Sequence, residues 1–121
     1  MILLLLITVS SQIQAQCNGQ TTLTTPTGAF SDGSGLGNYQ NCQWLIQPTN
    51  GGIIVLTFSD FDIEYGYDFV TVYDGTNTSG TLLGQFSGAN LPPNLTATSG
   101  AMYVTFMSDN IITYTGFEAT Y

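Results

Sequence analysis

The sequence predicts an all-β fold, with two antiparallel sheets packed face to face as a sandwich. Three observations carry this. Apolar and polar residues alternate with a period of two and no stretch repeats at the helical period. Clusters of Gly, Pro, Asn, Asp and Ser interrupt that alternation about every ten residues, the spacing of short strands joined by turns. Hydrophobic residues make up 43% of the 121 residues and charged ones only 7%, so Thr, Ser, Asn, Gln, Gly and Tyr must cover the surface, a composition suited to strands and turns.

The strands follow in order. A short first strand is predicted over Gln20 to Thr24, and Phe30 to Asn38 reads as a Gly-rich loop around Ser31-Asp32-Gly33-Ser34-Gly35. Cys42 to Gln47 places Trp44 and Ile46 on one face and stops at Pro48 and Asn50-Gly51-Gly52. Ile53 to Phe61 is the strongest strand, with Ile54, Leu56 and Phe58 on one side and Val55 and Thr57 on the other. Phe69 to Tyr73 ends at Asp74-Gly75, and Thr81 to Phe86 ends at Ser87-Gly88. After Pro92-Pro93 come Leu95 to Thr98, a Ser99-Gly100 turn, Ala101 to Ser108 with Met102, Val104 and Phe106 aligned, and Thr115 to Tyr121. The total is about eight strands in one domain.

Ahead of them, residues 1–15 read as a secretory signal peptide. Ile2 to Val9 form an apolar run too short to span a bilayer, and Ala15 supplies the small residue before the cleavage point, although the segment has no Lys or Arg. The mature domain is expected to be 16–121, extracellular, with no membrane span. In an exported chain the two cysteines, Cys17 and Cys42, read as one disulfide. Asn77-Thr78-Ser79 and Asn94-Leu95-Thr96 fit the N-glycosylation acceptor pattern in turn-rich stretches.

Charge excludes more than it assigns. Eight Asp and Glu stand against no Lys, Arg or His, a net charge of −8. Without Lys or Arg, nucleic-acid binding is excluded, and without His or Lys so are Ser-His-Asp, Cys-His and Schiff-base chemistries. No pair of acids stands out as a proton donor beside a nucleophile, so the chain reads as non-catalytic. The natural complements of an all-acidic chain are a hard cation such as Ca2+ or a basic patch on another protein.

Several fragments in order resemble the CUB domain family: Asn41-Cys42-Gln43-Trp44, Ile54-Val55-Leu56-Thr57-Phe58 with Phe61, Tyr67-Asp68-Phe69-Val70-Thr71-Val72-Tyr73-Asp74-Gly75, Leu83-Gly84-Gln85-Phe86-Ser87-Gly88, Phe106-Met107-Ser108-Asp109, and Gly116-Phe117-Glu118-Ala119-Thr120-Tyr121. The resemblance runs from Cys17 to Tyr121. It implies a jelly-roll sandwich with Cys17–Cys42 as the first of two family disulfides. The second would join the loop between Glu64 and Asp68, here the short Tyr65-Gly66-Tyr67, to the position of Ser87, and both its cysteines are absent.

The acids concentrate: Asp60, Asp62, Glu64 and Asp68 fall within nine positions, and Asp109 ends a later strand. Loops at one end of a sandwich converge, so Glu64, Asp68 and Asp109 can meet, where they repel unless a cation joins them. The calcium-binding CUB domains resemble this arrangement in Tyr39, Glu64, Tyr67-Asp68 and Ser108-Asp109, with Asn110 following. The resemblance implies a calcium site on Glu64, Asp68 and Asp109, supported by Tyr39 and Asn110, at which a Lys or Arg of a protein partner docks. The competing reading is a solvated acidic rim. Asp60 and Asp62 alternate with Phe61 and Ile63 and read as exposed face, and Asp32 as turn chemistry. A further alternative is carbohydrate binding on Tyr39, Tyr65, Tyr67 and Tyr114.

Overall fold

The computed structural model describes residues 17–33, 39–109 and 115–121. The predicted signal peptide, Asn110 and Tyr114 lie outside the described residues. Among the described residues nine strands run in order: β1 Gly19–Leu23, β2 Ala29–Ser31, β3 Asn41–Ile46, β4 Ile54–Asp62, β5 Phe69–Asp74, β6 Thr81–Phe86, β7 Leu95–Ala97, β8 Met102–Met107 and β9 Gly116–Thr120. They form a five-stranded sheet, β1-β3-β8-β5-β6, and a four-stranded sheet, β2-β9-β4-β7. This is the all-β jelly-roll sandwich expected, with two differences in detail.

The first difference is β2. Phe30 and Ser31 fall within the stretch expected to be a Gly-rich loop, yet Ala29, Phe30 and Ser31 pair antiparallel with Thr120, Ala119 and Glu118. Three residues are too few for alternation to register in the sequence. The second is that β1 pairs parallel with β3, Gly19 opposite Cys42 through Leu23 opposite Ile46. All other ladders are antiparallel.

The alternation of each strand builds the core. Trp44 and Ile46 of β3, Val70 and Val72 of β5 and Met102, Val104 and Phe106 of β8 are all buried. Opposite them lie Ile54, Leu56, Phe58 and Phe61 of β4 and Phe117 and Ala119 of β9. The inward parity of β4 changes between Phe58 and Phe61, and the ladder absorbs it with a bulge between Phe58 and Asp60. Phe117 is the centre of the aromatic packing. It meets Phe106 and Trp44 at 5.5 Å and Phe58 at 5.9 Å, all close to edge-on, the arrangement ring quadrupoles prefer.

Cys17 and Cys42 are joined in a disulfide, with Cα atoms 5.6 Å apart across a separation of 25 residues. Both are at or next to the β1–β3 pair, so the bond fastens an exposed edge strand to its inner neighbour β3. At one end of the sandwich, Asp74 accepts from the amides of Thr98 and Ser99 at 3.0 and 3.1 Å. The opposite ends of β5 and β8 carry the acidic cluster described below.

Replacing both cysteines, Cys17→Ser with Cys42→Ala, is expected to lower the unfolding free energy by about 3.5 kcal/mol, the chain-entropy value for a loop of this length. Urea denaturation followed by Trp44 fluorescence reads the loss. An unchanged midpoint would mean that the edge strand contributes nothing to the cooperative unit.

Candidate metal centre

Three segments meet at the end of the five-stranded sheet. β4 runs on through Ile63, whose amide donates to the Gly88 carbonyl at 3.0 Å, and delivers Glu64. A tight turn follows, in which the amides of Tyr67 and Asp68 donate back to the Glu64 carbonyl at 3.3 and 3.0 Å. That turn places Asp68 at the start of β5. From β8, Ser108 and Asp109 enter beside residues 39 and 40. The Ser108 amide donates to the Gln40 carbonyl at 3.0 Å, Gln40 N–H to Ser108 Oγ at 2.8 Å, and Tyr39 N–H to the Asp109 carbonyl at 2.8 Å.

The side chains of Glu64, Asp68 and Asp109 converge, each offering a carboxylate oxygen within 4.8 Å of the others. Asp68, only 4% exposed, is held on both oxygens: Glu64 N–H donates to Oδ2 and Asp109 N–H to Oδ1, both at 3.2 Å. Glu64 is 9% exposed, and its buried Oε1 has no hydrogen-bond partner. Burial, the adjoining Asp109 carboxyl and the charge of Asp68 raise the pKa of Glu64. Burial raises that of Asp68 too, against the two amides that favour its charged form. In the absence of a cation Glu64 and Asp68 therefore retain protons to higher pH than ordinary carboxylates do.

Ser87 explains how the turn keeps its shape without a second disulfide. Its Oγ accepts from Gly66 N–H at 2.8 Å, and its hydroxyl is shared between the carbonyls of Asp68 at 2.7 Å and Glu64 at 3.1 Å. Ser87, where the family resemblance implies a cysteine, thus clips the 64–68 turn to the end of β6. Gly88, at φ 87°, lets the chain pass against the ring of Tyr65.

The remaining predicted site residues divide. Tyr39 reaches the cluster through its backbone, at φ 56°, while its side chain is 69% exposed and leaves Glu64 Oε1 unbonded. Tyr65 and Tyr67 are exposed on the turn. Asn77 and Asn94 are both exposed, Asn77 in the β5–β6 turn, where its Oδ1 accepts from Ser79 N–H at 2.8 Å. Asp60 is exposed, Asp62 half-buried, and Phe61 and Ile63 between and after them are buried, as the alternation requires.

Asp32 is a correction. It is 1% exposed rather than a solvated turn residue. Its Oδ1 accepts from Phe117 N–H at 3.0 Å, and it lies so close to Gly116 that a side chain there would overlap its carboxylate. Burial, opposed by the Phe117 amide, pushes its pKa up from 3.8 to about 6. The sequence held no signal of this, since Asp32-Gly33 reads as a turn and the strand that carries Asp32 inward, β2, is not legible in its own three residues.

The CUB domain family model matches residues 17–121. The chain belongs to the CUB domain family. It is 34% identical over 111 residues to the exoskeleton protein RP43 of Riftia pachyptila, an alignment covering 87% of this chain and 26% of that protein. It is 32% identical over 103 residues to human cubilin, covering 82% of this chain and 3% of cubilin. The chain therefore spans a small part of the length of these relatives. Among solved structures, the MASP-1 CUB2 domain bound to Ca2+ superposes with a TM-score of 0.73 at 25% identity, covering 86% of this chain and 97% of that one. The extracellular region of zebrafish Gpr126/Adgrg6 gives 0.69 at 33% identity, covering 87% and 14%. CUB domains are generally non-catalytic and typically extracellular, and the disulfide fits that setting. Among the described residues no helix is long and apolar enough to cross a membrane.

Two substitutions test this anatomy. Ser87→Ala removes the hydroxyl from three bonds and is expected to cost about 1–3 kcal/mol in a chemical melt. For Asp32 the folded pKa lies above the unfolded one, so the unfolded chain gives up its proton first. Stability should fall as pH rises from about 4 to about 6, by up to about 3 kcal/mol. Asp32→Asn keeps an oxygen for Phe117 N–H and cannot ionise, so its pH–stability curve should be flatter over that window. Identical curves for the two proteins would refute the burial argument.

Proposed function

We propose that this CUB domain is a non-catalytic, secreted recognition module whose acidic end is organised by calcium and receives a basic group of a partner protein. The observation that carries the proposal is Glu64 Oε1. A carboxylate oxygen that is buried, without a hydrogen-bond partner and faced by two further carboxylates either keeps a proton or needs a cation to complete it. The chain contains no Lys, Arg or His that could do so. The donor set suits Ca2+, a hard ion bound by carboxylate, carbonyl and water oxygens. The calcium-bound MASP-1 CUB2 domain supports the same reading by similarity.

In this proposal Glu64, Asp68 and Asp109 hold the ion, which would fix their orientation and relieve their repulsion. Tyr39 borders the site through its backbone, and Asn110, next to Asp109 in the sequence, is the further supporting residue of this proposal. Three carboxylates on one divalent ion leave a residual negative charge, which a Lys or Arg side chain from outside can neutralise. The exposed Tyr39, Tyr65 and Tyr67 around the cluster would cover the aliphatic stem of such a side chain. Export directed by residues 1–15 and glycosylation at Asn77 and Asn94 belong to the same proposal.

Calcium at a hundred times its dissociation constant should stabilise the domain by about 2.7 kcal/mol, raising Tm on the order of 10 °C. Asp68→Ala and Asp109→Ala should abolish the response. Because the pKa values of Glu64 and Asp68 are raised, affinity should weaken on acidification at a higher pH than for ordinary carboxylates, and calcium uptake should release protons wherever these two groups are still protonated. Calorimetric titration in buffers of different ionisation heat measures both. Absence of any calcium-dependent heat or Tm shift would eliminate the calcium reading.

A further inference from the structure

The five-stranded sheet has an open edge at β1. Its register with β3 runs without a shift from Gly19 to Leu23. Gln47 N–H donates to the Leu23 carbonyl at 2.8 Å, and this bond sets the phase of the parallel ladder. Successive residues of a strand direct their N–H and C=O to opposite sides. Gly19, Thr21 and Leu23 therefore bond to β3, and Gln20 and Thr22 turn both backbone groups away from the sheet. Among the described residues nothing receives those groups, and Gln20, Thr21 and Thr22 are all exposed.

The other edges differ. β2 and β7 have only three residues each. β6 meets β5 through a ladder whose register shifts between Val72 and Tyr73. Soluble proteins blunt their edge strands in these ways, or with charge or Pro. β1 is unbulged and contains neither a charged residue nor Pro. Its neighbours β3 and β8 are uncharged as well. In a chain of net charge −8, two copies can join here without setting acid against acid in the strands that meet.

We propose that β1 is the dimer edge of this chain: two copies pair antiparallel through β1, about a twofold axis at Thr21, and join their five-stranded sheets into one. In that register Gln20 stands opposite the partner's Thr22 and exchanges both N–H···O bonds with it. The axis repeats the exchange between Thr22 and the partner's Gln20. Each copy thus supplies the donors and acceptors that the other leaves open. Thr21 meets the partner's Thr21 on the axis, in the closer-set kind of antiparallel pair, where Thr–Thr contact is favourable. Leu23 lies opposite the partner's Gly19, which brings no side chain against it. A strand of another protein has no such built-in register. The contact is small beside the roughly 800 Å2 per partner of a stable interface, so the dimer is a weak one.

β1 carries none of the residues of the acidic cluster, and the test is run in EDTA, so this proposal and the calcium reading fail separately. Sedimentation equilibrium of the folded chain, from about 0.01 to about 1 mM, should show a monomer–dimer equilibrium with Kd on the order of 0.1 mM. The dimer should tighten several-fold between about 0.1 and about 1 M NaCl, because the Debye length falls from about 10 to about 3 Å and the two negative chains repel less. As the dimer fills, the amides of Gln20 and Thr22 should gain hydrogen-exchange protection, and those of Gly19 and Thr21, already bonded to β3, far less. Thr22→Pro removes an N–H that the fold does not use, and should abolish the dimer while leaving Tm unchanged. Thr21→Asp sets like charges face to face on the axis, and decides the matter if Thr22→Pro fails to fold. The proposal is overturned if the chain stays monomeric at the highest concentration and salt, if either variant folds and still dimerises, or if the protection appears on another strand.

Discussion

The structure depends on how carboxylates are buried in a chain that has no cation to pair with them. Elsewhere a buried acid is normally paired with Arg, Lys or His. Here backbone N–H groups take that role. Phe117 N–H holds Asp32, and the amides of Glu64 and Asp109 hold Asp68. Two of these bonds join distant parts of the chain, β9 to the segment after β2 and the end of β8 to the start of β5, and the third, from Glu64, closes the 64–68 turn. The acids therefore act as cross-links for the loops. Glu64 Oε1 is the buried carboxylate oxygen that no such donor reaches, which distinguishes the cluster from the satisfied acid at Asp32.

Much of the sandwich could be read from the residues. Ile54, Leu56 and Phe58, or Met102, Val104 and Phe106, announce an inner face because a period of two is all that a half-buried strand needs. The β4 bulge was also implicit, since Phe58 and Phe61 cannot both point inward on an unbroken strand. β2 was not legible, because its place is set by pairing with β9 across most of the chain rather than by its own three residues. The parallel pairing of β1 was not legible either, since alternation is identical for both directions.

The candidate site shows the same division. The convergence of Glu64, Asp68 and Asp109 follows from their positions at strand ends. What the sequence hid was the means of support. Ser87 looks like part of a Ser-Gly turn, and its role emerges only when Gly66, Glu64 and Asp68 are brought to it. Asp32 beside Gly33 looked like a surface turn, and only the approach of Gly116 turns it into an interior group.

The parallel edge strand has a mechanical consequence. Tension applied to the chain ahead of Cys17 does not load the hydrogen bonds of β1 first. It passes through the Cys17–Cys42 bond directly into β3, which lies between β1 and β8 within its sheet. With the bond intact β1 is shielded from peeling, and resistance to stretching is set by shear between β3 and β8. With it reduced, the load meets the edge strand instead, so the redox state of one bond selects which ladder bears force.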